Sequence, residues 1–277
     1  MSRKIALVTG ASSGIGKVTV RRFLKLGYTV YAAARRLDAM QDIKSQGANI
    51  IYLDLTDSKS IKNCVDEVLS KEGRIDVLVN NAGYGSYGAV EDVPIDEARR
   101  QFEVNLFGMA ETIQQVLPSM RKYRSGKIII VSSIGGKVWS LLGAWYQATK
   151  FAVEGFGDCL RNELRPFGID VIIIEPGSIK TDWAKIATEN LVKISANGAY
   201  KKLVDIAKDF YVETEQKMGA DPDVIAQAII KSVTVSKPKA RYIAPTAAKV
   251  AVFLRWLLPD SIFDKVWAKF YNIPEKM

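Results

Sequence analysis

The sequence predicts an α/β protein built on a doubly wound parallel sheet of about seven strands, with helices on both faces. Three observations predict it. Short runs that are apolar throughout recur along the chain, segments of helical period separate them, and glycine closes the first run just where a helix opens. Strands without polar alternation have to be covered on both faces, and helices returning between parallel strands supply that cover. Right-handed crossovers then set any ligand crevice at the carboxyl ends of the strands.

The first strand is "KIALVTG" (4–10), an apolar run that ends on glycine. Ile15, Val18, Phe23 and Leu26 give residues 13–27 a helical period, and Gly27 stops it. Strands follow at "TVYAAA" (29–34) and "NIIYL" (49–53), and a helix over 57–73 leads to the strand "IDVLVNNAG" (75–83). A long helix from Asp96 to about Lys122 precedes "GKIIIVSS" (126–133). Another, Ala144 to Phe167, precedes "IDVIIIEPG" (169–177), and "RYIAP" (241–245) reads as a last short strand.

Of the 277 residues, 48% are apolar, ample for one large core. No Ser/Gly/Pro-rich linker, low-complexity run or fixed-period repeat marks a boundary, so a single domain over 1–277 is expected. The chain carries 39 Lys and Arg against 30 Asp and Glu, a net charge of +9. That excess suits a phosphorylated ligand or an anionic surface. A nucleic-acid role is not expected, because no binding motif and no block of like charge accompanies it. Two cysteines without CxxC spacing and a complete lack of histidine exclude a disulfide framework and ordinary zinc sites, so no metal is expected. The N-terminus "MSRKIALVTG" has no apolar core or cleavage site of a signal peptide, and a cytoplasmic setting is the expectation.

After the first strand the turn runs Gly10-Ala11-Ser12-Ser13-Gly14-Ile15-Gly16 and opens a helix. Glycines allow a tight turn and close approach of backbone to a pyrophosphate, which the helix N-terminus holds through free N–H groups and its dipole. Lys17 raises a nucleoside-triphosphate loop as a competitor, but that motif needs glycine where Ala11 stands and Ser or Thr where Val18 stands. About 20 residues beyond the glycines, an acid at the end of the second strand would bind a ribose 2′-hydroxyl and select NAD. The chain instead reads Ala34-Arg35-Arg36, with Asp38 falling in the first turn of the next helix. Two guanidiniums can grip a 2′-phosphate through forked, charge-assisted bonds, which favours NADP(H) over NAD(H). The alternative is that both arginines are simply solvated.

From residue 4 to about 180 the sequence resembles the short-chain dehydrogenase/reductase family. The matching pieces are "TGASSGIG" (9–16), "DLTD" (54–57), "NNAG" (80–83), "VNLFG" (104–108), Ser133, Tyr146-x-x-x-Lys150 and "PGSIKT" (176–181). The pieces "YGSYGAVEDV", "KFAVEGF" and "LRPFGIDVIIIEPG" are similar to the branch that holds 17β-hydroxysteroid and retinol dehydrogenases. The resemblance implies a single-domain Rossmann fold and an NADP(H)-dependent oxidoreductase acting on a carbonyl or alcohol. It implies that Ser12, Ser13 and Ile15 join the glycines at the cofactor, that Asp54 and Leu55 bracket the adenine, and that Asn81, Ala82 and Gly83 line the cofactor. Pro176, Gly177, Ile179 and Thr181 would wrap the nicotinamide end. Asn105, Ser133, Tyr146 and Lys150 match the family's catalytic tetrad, with Lys150 also gripping ribose hydroxyls and Asn105 holding a water. Homodimers or homotetramers are the implied assembly.

Four residues apart, Tyr146 and Lys150 share one helical face. Such a pair also arises as a plain stack on a wet helix. As chemistry, Tyr146 would give its proton to a carbonyl oxygen or, ionised, take one from an alcohol. Free tyrosine titrates near 10, so bringing it to about 7 needs roughly 4 kcal/mol in favour of the phenolate, with Lys150 as the evident source. Ser133, 13 residues before the tyrosine as the family spaces it, would bind the substrate oxygen in preference to Ser132. Serine hydrolysis is excluded, since no histidine exists to activate Ser133.

A substrate lid is expected at about 178–220 and an apolar helical extension at about 246–271. Trp139, Leu141, Leu142 and Trp183 are the candidate substrate contacts, pointing to a hydrophobic ketone, aldehyde or alcohol of steroid, retinoid or lipid type. Ordinary helix packing would use the same residues. Arg255 and Pro259 interrupt the last segment, which lacks the ~20 apolar residues of a membrane span. It is expected to pack over the site or a subunit, with peripheral membrane contact as the alternative. A non-catalytic NADP(H)-binding sensor or scaffold is the rival to an enzyme.

Overall fold

The computed structural model describes residues 3–274. In chain order the first half runs β1 (Ile5–Thr9), α1 (Gly14–Lys25), β2 (Thr29–Ala34), α2 (Gln41–Ser45), β3 (Asn49–Tyr52), α3 (Ser58–Glu72) and β4 (Val77–Asn80). Next come α4 (Ile95–Phe102), α5 (Gly108–Tyr123), β5 (Gly126–Val131), α6 (Ala144–Leu164) and β6 (Ile169–Pro176). The remainder is α7 (Asp182–Ser195), α8 (Lys201–Met218), α9 (Pro222–Thr234), β7 (Arg241–Ala244), α10 (Thr246–Leu257) and α11 (Asp260–Phe270). All seven strands pair in parallel in the order β3-β2-β1-β4-β5-β6-β7. The chain winds outward from β1 to β3 and then returns to β4 beside β1. That reversal opens the crevice in which a doubly wound sheet binds its ligand.

The central strands β1, β2, β4, β5 and β6 are buried because each face of the sheet has its own apolar layer. Leu7, Leu78, Ile128 and Val171 pack against α3, α5 and α6, while Val8, Val79, Ile129 and Ile172 pack against α1 and α9. Arg22 of α1 and Asp223 of α9 form a forked ion pair that ties the second layer together.

Two predicted helices end or change differently from expectation. The helix expected over Asp96–Lys122 is two helices joined by a π-turn at Glu103–Phe107. There Asn105 directs its carboxamide at Tyr84 and Thr149, and such wide turns recur at functional sites. The helix begun at Ala144 ends at Leu164 and tightens to a 3-10 turn over Arg165–Phe167, because Pro166 cannot donate the next helical bond. The lid is a helix pair, α7 and α8, closed at its base by a bridge between Ile179 and Ala220. Lys180 N–H donates to Ala220 O (2.9 Å) and Ala220 N–H to Ser178 O (3.1 Å).

No helix among the described residues is long and apolar enough to cross a membrane, and no group of three or more His, Cys, Asp or Glu among them is arranged to hold a metal.

Candidate active site

Thr9 ends β1, and its hydroxyl accepts from the N–H groups of Asn81 and Ala82 at the end of β4 (both 3.1 Å). Asn81 returns its side-chain N–H groups to Thr9 O (3.1 Å) and Gly10 O (3.2 Å). These bonds lock the glycine turn against β4. A Cβ at Gly16 would stand 2.3 Å from Gly10 O, and one at Gly10, where φ is +67°, would stand 2.7 Å from the Ala82 Cα. The turn therefore tolerates no side chain at either position, and no side chain caps the first turn of α1. A helix N-terminus with free N–H groups behind a glycine cradle fits the pyrophosphate of a dinucleotide.

One cavity of about 840 Å³ runs along the carboxyl ends of the strands from this cradle. Gly10, Ser12, Ser13, Gly14, Ile15, Arg35, Arg36, Asp54, Leu55, Asn81, Ala82 and Gly83 line its first half. Arg36 donates to the hydroxyl of Ser12 (3.2 Å), which swings its guanidinium over the glycine turn. Burial pushes the Asp54 carboxyl up, but bonds from the Thr56 N–H and hydroxyl, with Arg35 and Arg100 nearby, hold it below the usual carboxylate range. Gly16 is off the lining and serves the packing of α1. Pro176, Gly177, Ile179 and Thr181 line the cavity where the lid begins. Thr181 caps α7 by accepting from the Trp183 N–H (3.3 Å), and its methyl would lie 3.1 Å from a Cβ at Gly14.

Ser133, Tyr146 and Lys150 meet in the middle of this cavity. Ser133 begins a short turn after β5 and accepts from the Gly135 N–H (3.0 Å), which fixes its hydroxyl toward the Tyr146 phenol. Lys150, one turn beyond Tyr146 on α6, is buried and donates to Val131 O (3.0 Å). Its Nζ lies 5.8 Å from the centroid of the Tyr146 ring. Asn105 is off the cavity wall. Its carboxamide donates to Tyr84 O (2.9 Å) and Thr149 Oγ1 (3.1 Å) and accepts from the Tyr84 N–H (3.0 Å). The side chain is a strut under the Gly83-Tyr84 loop, with its hydrogen-bonding groups already engaged.

The electrostatics correct one expectation. The Lys150 ammonium was expected to draw the phenol toward neutrality. In this structure burial dominates and pushes Tyr146 up to about 12, with the Ser133 hydroxyl acting the other way. Burial equally pushes Lys150 down to about 8, against the pull of Glu154. Desolvation penalises whichever form carries charge, so it moves the two partners in opposite directions.

The far half of the cavity is aromatic. The Tyr146 ring lies 5.0 Å from Trp183 and 5.7 Å from Tyr87, and Tyr87 lies 5.4 Å from Tyr211. Of the four side chains expected to meet the substrate, Trp139 and Trp183 line the wall. Leu141 and Leu142 do not; they pack behind this aromatic cluster, where the Leu141 carbonyl accepts from Tyr211 Oη (2.6 Å). Sequence reasoning missed Tyr87, which follows the β4 loop in "YGSYGA"; it expected the last segment to pack over the site or a subunit but named none of its contacts. The Trp139 indole donates to Asp264 (2.8 Å) and stacks on Tyr271 (5.8 Å), while Trp267 donates to the Trp139 carbonyl (2.9 Å).

Below Lys150 sits a partly buried charge network around the buried carboxyls of Glu154 and Glu175. Arg241 of β7 reaches Glu154 (3.0 Å), Asp158 (2.7 Å) and Glu175 (3.1 Å), and Lys137 reaches Glu154 (2.9 Å). Burial, then the charge of Glu154, pushes Glu175 up to about 7. Between its ordinary 4.5 and about 7 the folded chain keeps a proton that the unfolded chain has lost, so stability falls as pH rises through that window. Arg241→Met leaves two buried carboxylates facing each other and is expected to cost ~3 kcal/mol by urea unfolding at neutral pH, less in mild acid. An equal cost at both pH values would contradict this account.

The comparisons agree with the geometry. The short chain dehydrogenase family model matches residues 4–191. A 3-ketodihydrosphingosine reductase of Bacteroides thetaiotaomicron is 34% identical, covering 99% of this chain and 100% of its own length. An NADPH-dependent 3-dehydrocapnine reductase of Ornithobacterium rhinotracheale is 34% identical over 96% of each chain. The crystal structure of a short-chain dehydrogenase from Streptomyces avermitilis superposes with a TM-score of 0.79 at 33% identity, covering 98% of this chain and 96% of that one. With its cradle, sheet order and matched sequence, this chain belongs to the short-chain dehydrogenase family of oxidoreductases.

Proposed function

We propose that the chain is an NADP(H)-dependent carbonyl reductase acting on a hydrophobic ketone or aldehyde. The observation that carries this reading is the position of Tyr146, whose ring stands between the glycine cradle and the aromatic half of one continuous cavity. When bound, NADP(H) supplies the hydride that a carbonyl carbon accepts. Gly10, Gly14 and the first turn of α1 would hold its pyrophosphate, and Arg35 and Arg36 its 2′-phosphate. Pro176, Gly177, Ile179 and Thr181 would enclose the nicotinamide end.

Ser133 is suited to donate to the substrate oxygen and stabilise charge growing there. A phenol that titrates at about 12 is protonated near neutrality, so Tyr146 stands ready to give its proton to that oxygen. In the reverse reaction it would have to be ionised before taking a proton from an alcohol. Lys150 would steady the transient phenolate and bring the replacement proton. Two of the relatives are named as reductases, one of a 3-keto and one of a 3-dehydro compound, the second as NADPH-dependent, which supports the direction of reduction. Trp139, Trp183, Tyr87 and Tyr211 would receive the apolar body of the substrate. The free Cys64 and Cys159 suit the reducing cytoplasm in which the reading sets the enzyme.

Two experiments test this reading. Charge-assisted bonds are worth roughly 1.5–3 kcal/mol each, so replacing both Arg35 and Arg36 by Ala should reduce the preference for NADPH over NADH about a hundredfold or more in KM. An unchanged ratio removes both arginines from cofactor selection. Separately, kcat/KM for ketone reduction should hold steady through neutrality and fall as pH rises through about 8, where Lys150 loses its proton. A profile flat to about pH 10 would deny that its charge matters.

A further inference from the structure

The two helices after β7 serve the cavity and the outer surface with the same side chains. Val250, Leu254, Val266 and Phe270 line the cavity, yet Val250, Val266 and Phe270 are also exposed by 54%, 45% and 47%. The apolar wall therefore runs without a break from the aromatic pocket to the outside. Beyond it stand Phe253, Trp256, Leu257 and Ile262, with Trp256 exposed by 78%. On α10 the positions 250, 253, 256 and 257 form one stripe, and on α11 the positions 262, 266 and 270 form another. Single exposed apolar residues are ordinary, but a continuous aromatic patch at the mouth of a cavity marks a contact surface.

The charges around the patch select its partner. Lys249 shares the outer face of α10, and Lys265 and Lys269 that of α11; all three are exposed. Among the described residues none has a carboxylate within ion-pair reach. Of the two acids on these helices, Asp260 is taken by Arg255 (2.6 Å) and Asp264 by the Trp139 indole (2.8 Å). A two-fold contact with a second copy would press these lysines against one another. An anionic lipid surface complements both the lysines and the apolar stripe, because long cationic side chains reach headgroups while aromatic rings sink to the acyl boundary.

We propose that α10 and α11 dock on an anionic phospholipid bilayer, with Phe253, Trp256, Leu257 and Ile262 entering the acyl boundary and the three lysines among the headgroups. The second half of the proposal rests on the carbonyl-reductase reading: a water-poor ketone passes from the bilayer along the wall of Val250, Val266 and Phe270 to Tyr146.

The test is co-sedimentation of the full chain with vesicles of phosphatidylcholine alone or with about one third phosphatidylglycerol. Binding is expected to the mixed vesicles and roughly tenfold weaker to the neutral ones. The double variant Phe253→Ser/Trp256→Ser should lose binding to both, and Lys249→Gln/Lys265→Gln/Lys269→Gln should lose the preference for the anionic lipid. Cyclohexanone reduction in free solution should be unchanged in the first variant, while reduction of 3-hexadecanone carried in mixed vesicles falls roughly tenfold. A wild type that stays in the supernatant, or a double variant that binds as well as it does, overturns the docking. Light scattering that shows Phe253→Ser/Trp256→Ser splitting an oligomer, with vesicle binding intact, assigns the patch to a second copy. A wild type that reduces neither ketone sinks the reductase reading, and the sedimentation then decides the docking by itself.

Discussion

Tyr146→Phe is expected to lower kcat for ketone reduction by about a thousandfold, the scale on which a positioned proton donor acts. The ring of the phenylalanine keeps its contacts with Trp183 and Tyr87, and the glycine cradle is untouched. NADPH affinity, read by quenching of tryptophan fluorescence, should therefore stay within about threefold, as expected for a group that acts in the transition state alone. A variant that keeps most of its turnover would remove Tyr146 from proton transfer. One that loses turnover together with NADPH affinity would make it a binding residue.

Gly16→Ala should strike the cofactor half of the site just as hard. Its Cβ would stand 2.3 Å from Gly10 O and 2.6 Å from the Asn81 side chain, the two groups that tie the turn to β4. Both are held in place, so the turn itself has to shift. Overpacking of this kind costs ~1–3 kcal/mol of stability. The displaced N–H groups should weaken NADPH binding by more than the loss of stability alone explains. Gly27→Ala is the control, because nothing lies within 4 Å of a Cβ there and only its φ of +77° opposes the change. Its stability falls and its NADPH affinity is retained. Equal losses of affinity in both variants would show that the cradle has no special role.

The strands were legible because each has an apolar run bounded by glycine, proline or a polar turn, and every predicted strand has a counterpart in the sheet. The residues lining the first half of the cavity were legible for a related reason. Gly10, Gly14 and Gly16 answer to backbone geometry, and Arg35 and Arg36 sit at a strand end whose place the sheet dictates. The substrate half was much less so. Leu141 and Leu142 lie near Tyr146 in sequence but turn behind the aromatic cluster, with Leu142 at φ +57°. Tyr87 reaches the site through a loop, and Trp267 and Tyr271 reach it from more than a hundred residues further along the chain. No local period records such contacts. The balance of charge at Tyr146 was not legible either, for a physical reason. Spacing of four residues shows that Lys150 is near, but the extent to which burial taxes each charge depends on every element packed around the pair.

The central claim is that this single cavity brings NADPH and a carbonyl compound together at Tyr146 and reduces the carbonyl. The most direct measurement mixes the purified chain with NADPH and a panel of hydrophobic ketones and aldehydes, following nicotinamide absorbance and alcohol formation together. The account predicts loss of absorbance with one alcohol formed per NADPH consumed, fastest for the apolar members of the panel. Tight binding of NADPH with no alcohol from any member would contradict it and leave a protein that senses the dinucleotide without using it.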